Sequence, residues 1–307
     1  MEIMNTAAVP EKTKRKHKFK KPSVFEVVIW LLLAVISLSY LYMMFWTIIT
    51  SLKDIDDFMH NRFGLPDVFA GDNLIYVINN FEVPVRDANG IAYMVGIPTM
   101  FWNTVVYVLG CGLMSTVVPF LTAYLVSKYR YKFSKILYLF VVIAMCIPVV
   151  GTQAASITLM QDLGLYDTQW GVPLMKGSII SMYFLIMVAA FDGVSDSMIE
   201  AAEVDGASQF RIMVQIVMPR AMNVFWTVFL INSISFWNEY TTAYMYQPNY
   251  PTLSVALYSL VNKSTQNISY PPYRMAACLA LMVPVLILFL CFHNRMMNNL
   301  SMGGVKE

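Results

Sequence analysis

Glu200-Ala201-Ala202-Glu203-Val204-Asp205-Gly206-Ala207-Ser208-Gln209-Phe210-Arg211-Ile212-Met213-Val214-Gln215-Ile216-Val217-Met218-Pro219 stands between two long apolar segments. A membrane bundle needs only a short connection there. This one reads as a small-residue helix, a Gly stop and a second helix ended by Pro219. Ser197-Met198-Ile199-Glu200 has the Ser-x-x-Glu form of a capping box, which predicts the start of the first helix. Ala201 and Ala202 leave little side chain on one face, so a second protein can approach closely, and Gly206 ends the helix. Asp192, Asp196, Glu200, Glu203 and Asp205 make the segment acidic. Helices that lie flat on a bilayer are instead rich in Lys and Arg, so the acidic knob points to a basic protein partner.

The rest of the chain decides what the knob is attached to. Of 307 residues, 58% are apolar and 13% charged, and the mean hydropathy is +0.57, which places the chain in the membrane class. The net charge of +2 is nearly neutral, and the basic residues crowd into short segments beside apolar runs, so a nucleic-acid partner is not suggested. Cys111, Cys146, Cys278 and Cys291 all fall in apolar segments without disulfide or metal spacing, and are read as small hydrophobes in packed helices. No metal site is expected.

Six segments are long and apolar enough to cross a hydrocarbon layer, which takes about 20 helical residues. They are residues 24–50, 101–127, 136–159, 172–192, 222–246 and 275–293, and they predict an all-α polytopic membrane protein. Pro119, Pro148 and Pro284 lie inside them and predict kinks, not ends, because neighbouring helices satisfy freed carbonyls. The first apolar run follows Lys12, Lys14, Arg15, Lys16, Lys18, Lys20 and Lys21 and is too long for a signal-peptide core, so a retained span behind a basic tail (residues 1–23) is expected. The tail marks orientation and is able to meet anionic lipid. With the N-terminus inside, fifteen of the 21 Lys and Arg fall on the inner side, which puts both termini and the 193–221 loop in the cytoplasm.

On the outer side, residues 51–100 form the longest connection. Val83–Arg86 and Ile91–Val95 flank Ala88-Asn89-Gly90, the chemistry of a tight hairpin turn, so a short β-hairpin is expected there. It serves either as a docking surface for an outer partner or as a cap on the bundle.

Glu239 is the ionisable residue well inside a predicted span. A charge at that depth is unfavourable by about 2.5–3.5 kcal/mol, so it is expected to face the bundle or a watery path. With Trp237, Asn238 and Tyr240 beside it, it can line the route of a hydroxyl-rich substrate, or it can bond between helices. Gln153, with Thr152 and Ser156, is a weaker candidate of the same kind.

The spacing of Glu200, Ala201, Ala202, Gly206, Ile216 and Pro219 resembles the coupling loop of ABC importer permeases, with Met218 where that pattern has Leu. Residues 159–168, Trp237-Asn238-Glu239-Tyr240, residues 251–257 and the ending Gly303-Gly304-Val305-Lys306-Glu307 resemble the permeases of oligosaccharide importers, the maltose-type subunit above all. The chain departs from that pattern at Ser195 and Ser197, where Pro and Glu are usual, and in its longer outer insertion. The resemblance implies a type I importer permease with six spans in the cytoplasmic membrane. It also implies a second permease as heterodimer partner, two cytoplasmic ATPase subunits and an extracytoplasmic sugar-binding protein. Glu200 is then the residue held by the ATPase, with Ala201, Ala202, Asp205, Gly206, Ala207, Ile216 and Pro219 in the coupling surface. Gly303, Gly304, Val305 and Lys306 form a tail that reaches the ATPase pair. The chain is expected to be non-catalytic and to bind no cofactor, ATP and Mg belonging to the ATPases. A Gly-x-x-x-x-Gly-Lys-Ser/Thr cradle does not occur in it.

Two other classes compete. An ion- or proton-coupled carrier needs charged pairs at the bilayer midplane or broken helices in matched halves, and Glu239 stands alone without a basic intramembrane partner. A membrane-embedded enzyme needs clustered acids and bases, whereas His17, His60 and His293 lie away from the bundle centre.

Overall fold

The computed structural model describes residues 23–86, 90–129, 131–148, 150–262 and 270–300, without the side chains of 281, 285, 288, 289 and 291–300. The basic tail, most of the hairpin turn and Gly303–Glu307 lie outside these residues. The chain divides into two units at residue 46. The first is the body of α1 (Val24–Ser51), apolar all round and exposed over residues 24–45, as a helix solvated by lipid has to be. Its start is a formed capping box, in which the Ser23 N–H donates to Glu26 Oε2 at 2.8 Å and the Glu26 N–H to Ser23 Oγ at 3.3 Å.

The second unit begins with a small lobe of α2 (Ile55–His60), α3 (Asp72–Asn80), β1 (Glu82–Arg86) and β2 (Ala92–Gly96). The expected hairpin is present, antiparallel, with Glu82 opposite Gly96 and Val85 opposite Tyr93. Val83, Val85 and Val95 turn inward while their neighbours on β1 are exposed, the alternation that pins register. Asn73 Nδ2 ties the lobe together by donating to the carbonyls of Ser51 (2.9 Å) and Lys53 (2.7 Å), and Tyr76 stacks on Tyr273 at 4.8 Å.

The remaining helices are α4 (Ile97–Lys128), α5 (Lys132–Cys146), α6 (Gln153–Asp162), α7 (Gly171–Lys176), α8 (Met182–Asp192), α9 (Asp196–Val204), α10 (Gln209–Ile212), α11 (Met218–Asn238), α12 (Thr241–Tyr246), α13 (Leu253–Asn262) and α14 (Pro271–Leu300), with a π turn over Met213–Val217. Among the described residues three helices are long and apolar enough to cross a membrane: Val24–Ser51, Ile97–Lys128 and Gln209–Asn238. The pair α8 and α9, bent by 60°, makes a fourth if counted as one span. Three of the six expected segments are interrupted and do not form single helices. Residues 136–159 break after Cys146, because the residue before Pro148 is pushed out of the helical region (Ile147 φ −87°, ψ 112°) and Gly151 takes φ +81°. Pro148 is an end and not a kink, while Pro119 and Pro284 sit inside continuous helices. Residues 172–192 break between Lys176 and Met182, and residues 222–246 break at Glu239 and Tyr240.

The central helix is α4. It packs chiefly against α11 and α8. Gly112 makes the first of these crossings possible: a Cβ there would lie 2.9 Å from Ser233 Oγ and 3.2 Å from the Phe229 ring. Two apolar cores lie along α4. One gathers Met100, Tyr107, Cys111, Val172, Trp237 and Leu253 with the hairpin valines, and the other gathers Phe120, Tyr124, Phe184, Phe191, Ile212, Val217 and Phe225. Cys111 is packed as expected; Cys146 is exposed at the end of α5.

Candidate functional site

The acidic loop is a helix–stop–helix whose ends differ from expectation. The capping box at Ser197–Glu200 does not form. Helix α9 starts two residues earlier, Ser195 is its N-cap residue, and the Ser195 and Ser197 hydroxyls meet each other at 2.7 Å instead of capping the backbone. The Gly stop is formed as read. Gly206 has φ +78°, its N–H donates to Glu203 O at 3.0 Å, and the Ala207 N–H donates to Ala202 O at 3.0 Å. This pair of bonds is the Schellman arrangement, which needs a left-handed residue and therefore glycine. Gln209 Nε2 then donates to Glu203 Oε1 at 2.6 Å and links the two arms.

Pro219 does not end the second arm. Residues 209–238 run on as one helix. The proline ring would collide with a carbonyl one α-turn back. The preceding π turn, in which the Met218 N–H reaches Met213 O, accommodates it.

Exposure sorts the loop residues. Glu200, Ala201, Glu203, Asp205 and Gly206 are exposed, whereas Ala202 is buried and belongs to the second core, with Ala207 and Ile216 packed against it. Pro219 is exposed. Sequence reading missed two members of the exposed face, Val204 (88% exposed) and Phe210 (71%). Large apolar side chains among charged neighbours were the available signal.

Residues 237–240 separate into two environments. Trp237, Asn238 and Tyr240 line a concave site of about 470 Å³ with Ser254, Tyr258 and Cys278. Tyr240 and Tyr258 stack there at 4.6 Å and 15°. Glu239 turns elsewhere: Oε2 accepts from Tyr107 OH at 2.7 Å and Oε1 from the Thr242 N–H at 2.6 Å. It holds the break between α11 and α12 against α4. Lys176 comes to the same place, its Nζ 3.5 Å from Thr242 Oγ1 and 5.5 Å from the centre of the Phe236 ring. The end of α7 thus brings a cation from a different segment to Thr242, whose N–H donates to Glu239. Gln153 stands apart. It opens α6, its side chain is exposed, and its carbonyl accepts from Tyr246 OH at 3.4 Å.

The stretch of residues 159–168 also acts through structure. Asp167, at φ +56°, accepts from the Asn249 N–H (2.9 Å) and Asn249 Nδ2 (2.5 Å), and Asn249 Oδ1 accepts from the Arg86 N–H at 3.0 Å. Three distant segments meet in that knot beside the hairpin.

Residues 115–299 match the family described as binding-protein-dependent transport system inner membrane component. The chain belongs to this family. Among curated relatives, it is 24% identical over 290 residues to the arabinooligosaccharides transport system permease protein AraQ of Bacillus subtilis (strain 168), covering 92% of this chain and 97% of that one. It is 23% identical to the sn-glycerol-3-phosphate transport system permease protein UgpE of Brucella suis biovar 1 (strain 1330), over 73% of this chain and 78% of that one. Among solved structures, a chain of a bacterial ABC transporter involved in import of the acidic polysaccharide alginate superposes with a TM-score of 0.72 at 22% identity, over 88% of this chain and 96% of that chain. This last likeness speaks to fold. The family match spans the 193–219 loop and the Glu239 break and begins after the hairpin lobe.

Proposed function

We propose that this chain is the membrane-spanning permease subunit of an ATP-driven importer for an oligosaccharide, working with a second permease, two cytoplasmic ATPases and an extracytoplasmic binding protein. The loop at residues 193–219 is its ATPase-docking element. One observation carries the reading: an exposed, acidic, alanine-bearing knob with a hydrogen-bonded glycine stop, inside the segment that matches the family. Glu200 and Ala201, with Val204, Asp205 and Phe210, form the face offered to the ATPase, while Ala202, Ala207 and Ile216 hold that face to the bundle. Six crossings are assigned, to α1, α4, α5 with α6, α7 with α8, α11 with α12, and α14. Both termini and the knob are then cytoplasmic and the hairpin lobe is outside.

The concave site at Asn238, Tyr240 and Tyr258 is the part of the path that suits a sugar. Flat aromatic rings cover the apolar faces of pyranoses, and the amide and hydroxyl groups beside them exchange hydrogen bonds with hydroxyls. ATP energises the cycle from the partner subunits, since this chain contains no phosphate-binding loop motif.

Two measurements test the reading. Uptake of a panel of radiolabelled oligosaccharides into vesicles is expected to need internal ATP; uptake driven by an ion gradient alone would overturn it. Glu200→Arg and Gly206→Pro are expected to leave the permease inserted and to release the ATPase from the membrane.

A further inference from the structure

The 193–219 loop has a second attachment to the bundle besides the helices that lead into it. Where α8 bends into α9, the elbow Gly193–Ser195 is held from the side by the last turn of α4. Lys128 Nζ donates to Val194 O at 2.7 Å and pairs with Asp196 Oδ1 at 3.1 Å, and Ser127 Oγ donates to Asp192 Oδ1 at 2.5 Å. The Lys128 side chain is 7% exposed. Its charge therefore has few water contacts to exchange for these bonds, and Val194 beneath it is buried. Three bonds thus bracket the elbow on both flanks.

About three turns in from the start of α4 stands Tyr107, which holds the Glu239 break. Between Tyr107 and Lys128 the helix is uninterrupted, a span of about 30 Å at 1.5 Å per residue. Gly112 lets it lie close against α11 along the way. Pro119 lies within this stretch without breaking the helix, so α4 joins the bend to the break as one continuous element.

We infer that α4 is the strut that carries movement of the 193–219 loop to the concave site beside Glu239, and that Lys128, with Ser127, is the positioning residue that clamps the loop to it. The inference rests on the loop being the ATPase-docking element. Without the clamp, movement entering through α9 would be absorbed at the Gly193–Ser195 elbow, leaving the 209–238 helix as the remaining link between the loop and the concave site.

The test uses the complete importer in proteoliposomes. Cys278, which lines the concave site, is kept, and Cys111, Cys146 and Cys291 are replaced by serine. Maleimide labelling of Cys278 is followed with and without ATP plus vanadate. With the clamp intact, trapping is expected to change the labelling rate by about 5-fold or more. In Lys128→Met that change is expected to fall below about 2-fold while the ATPase stays bound. Lys128→Arg, which keeps charge and donors, is expected to restore it. Should Lys128→Met fail to assemble, Ser127→Ala and Asp196→Asn decide, each with a smaller loss of the same kind. An unaltered response in the clamp variants, or no response to trapping with the clamp intact, overturns the strut. Retention of the ATPase by Glu200→Arg would instead overturn the docking reading, so the two failures are distinguishable.

Discussion

Lys128 in the last turn of α4 and Tyr107 about three turns in from its start each close an interruption in a neighbouring helix, and they do so with different chemistry. At Lys128 the bonds join a cation and a hydroxyl to carboxylates and a carbonyl, and Asp196 is 47% exposed, so water and salt share the charge. At Tyr107 a buried phenol meets a carboxylate whose second oxygen is already taken by the Thr242 N–H. Water has little access to that phenol, so opening the bond strands a buried hydroxyl. Both junctions hold, but the Lys128 one has a partly exposed partner in Asp196 and is sensitive to salt, whereas the Tyr107 one is closed to water. Similar secondary structure in the two places therefore answers differently to salt.

The comparison breaks most visibly at Tyr107. Glu239→Leu removes both acceptors and is expected to destabilise the detergent-solubilised protein by about 3 kcal/mol, while Glu239→Gln, which keeps one acceptor, costs less than about half of that. Thermal unfolding of both variants checks the order; equal losses would mean that the bonds at Glu239 matter less than its volume. Next, Gly112→Val forces a side chain into Ser233 and Phe229, and about 2 kcal/mol of overpacking is expected, felt at both junctions because it lies between them. Limited proteolysis of the 193–219 loop, run beside the thermal assay, shows whether both junctions respond.

Smaller effects separate the two loop arms. Gly206→Ala places a Cβ at φ +78° and is expected to cost about 1 kcal/mol, confined to the loop and read as faster cleavage there with unchanged thermal unfolding of the bundle. The finest contrast sets the two Ser-x-x-Glu sequences against each other. Ser23→Ala deletes a formed cap and is expected to cost about 1 kcal/mol in the stability of the α1 terminus, measured by hydrogen exchange. Ser197→Ala deletes no cap and is expected to change stability by less than about 0.5 kcal/mol.

Those two sequences also show what can be read before folding is known. The glycine stop at Gly206 and the hairpin around residues 83–95 were legible, because each depends on residues a few positions apart and on one backbone preference. The helix start near Ser197 was not: α9 begins after Ser195, beside the elbow that Lys128 holds from another helix, and a four-residue pattern carries no record of that contact. Apolar length likewise located the spans but not their interruptions at residues 147–152, 177–181 and 239–240, since apolar composition is preserved across a break whose cause is a proline, a glycine or a partner on another helix. Lys176 escaped for the same reason. Its neighbours Phe236 and Thr242 are some sixty residues away in sequence, and no local pattern announces them.

The π turn at Met213–Val217 sets an angle as well as making room for Pro219. A turn closed from residue i to i+5 holds one residue more than an α-turn, so everything before it is rotated by about 100° relative to a straight helix. Phe210 therefore owes its heading to that extra residue. Deleting one position between 213 and 217 would swing the aromatic ring to another side of the rod while the packed face of α11 stayed where it is, a single-residue dial on the direction in which the knob presents itself.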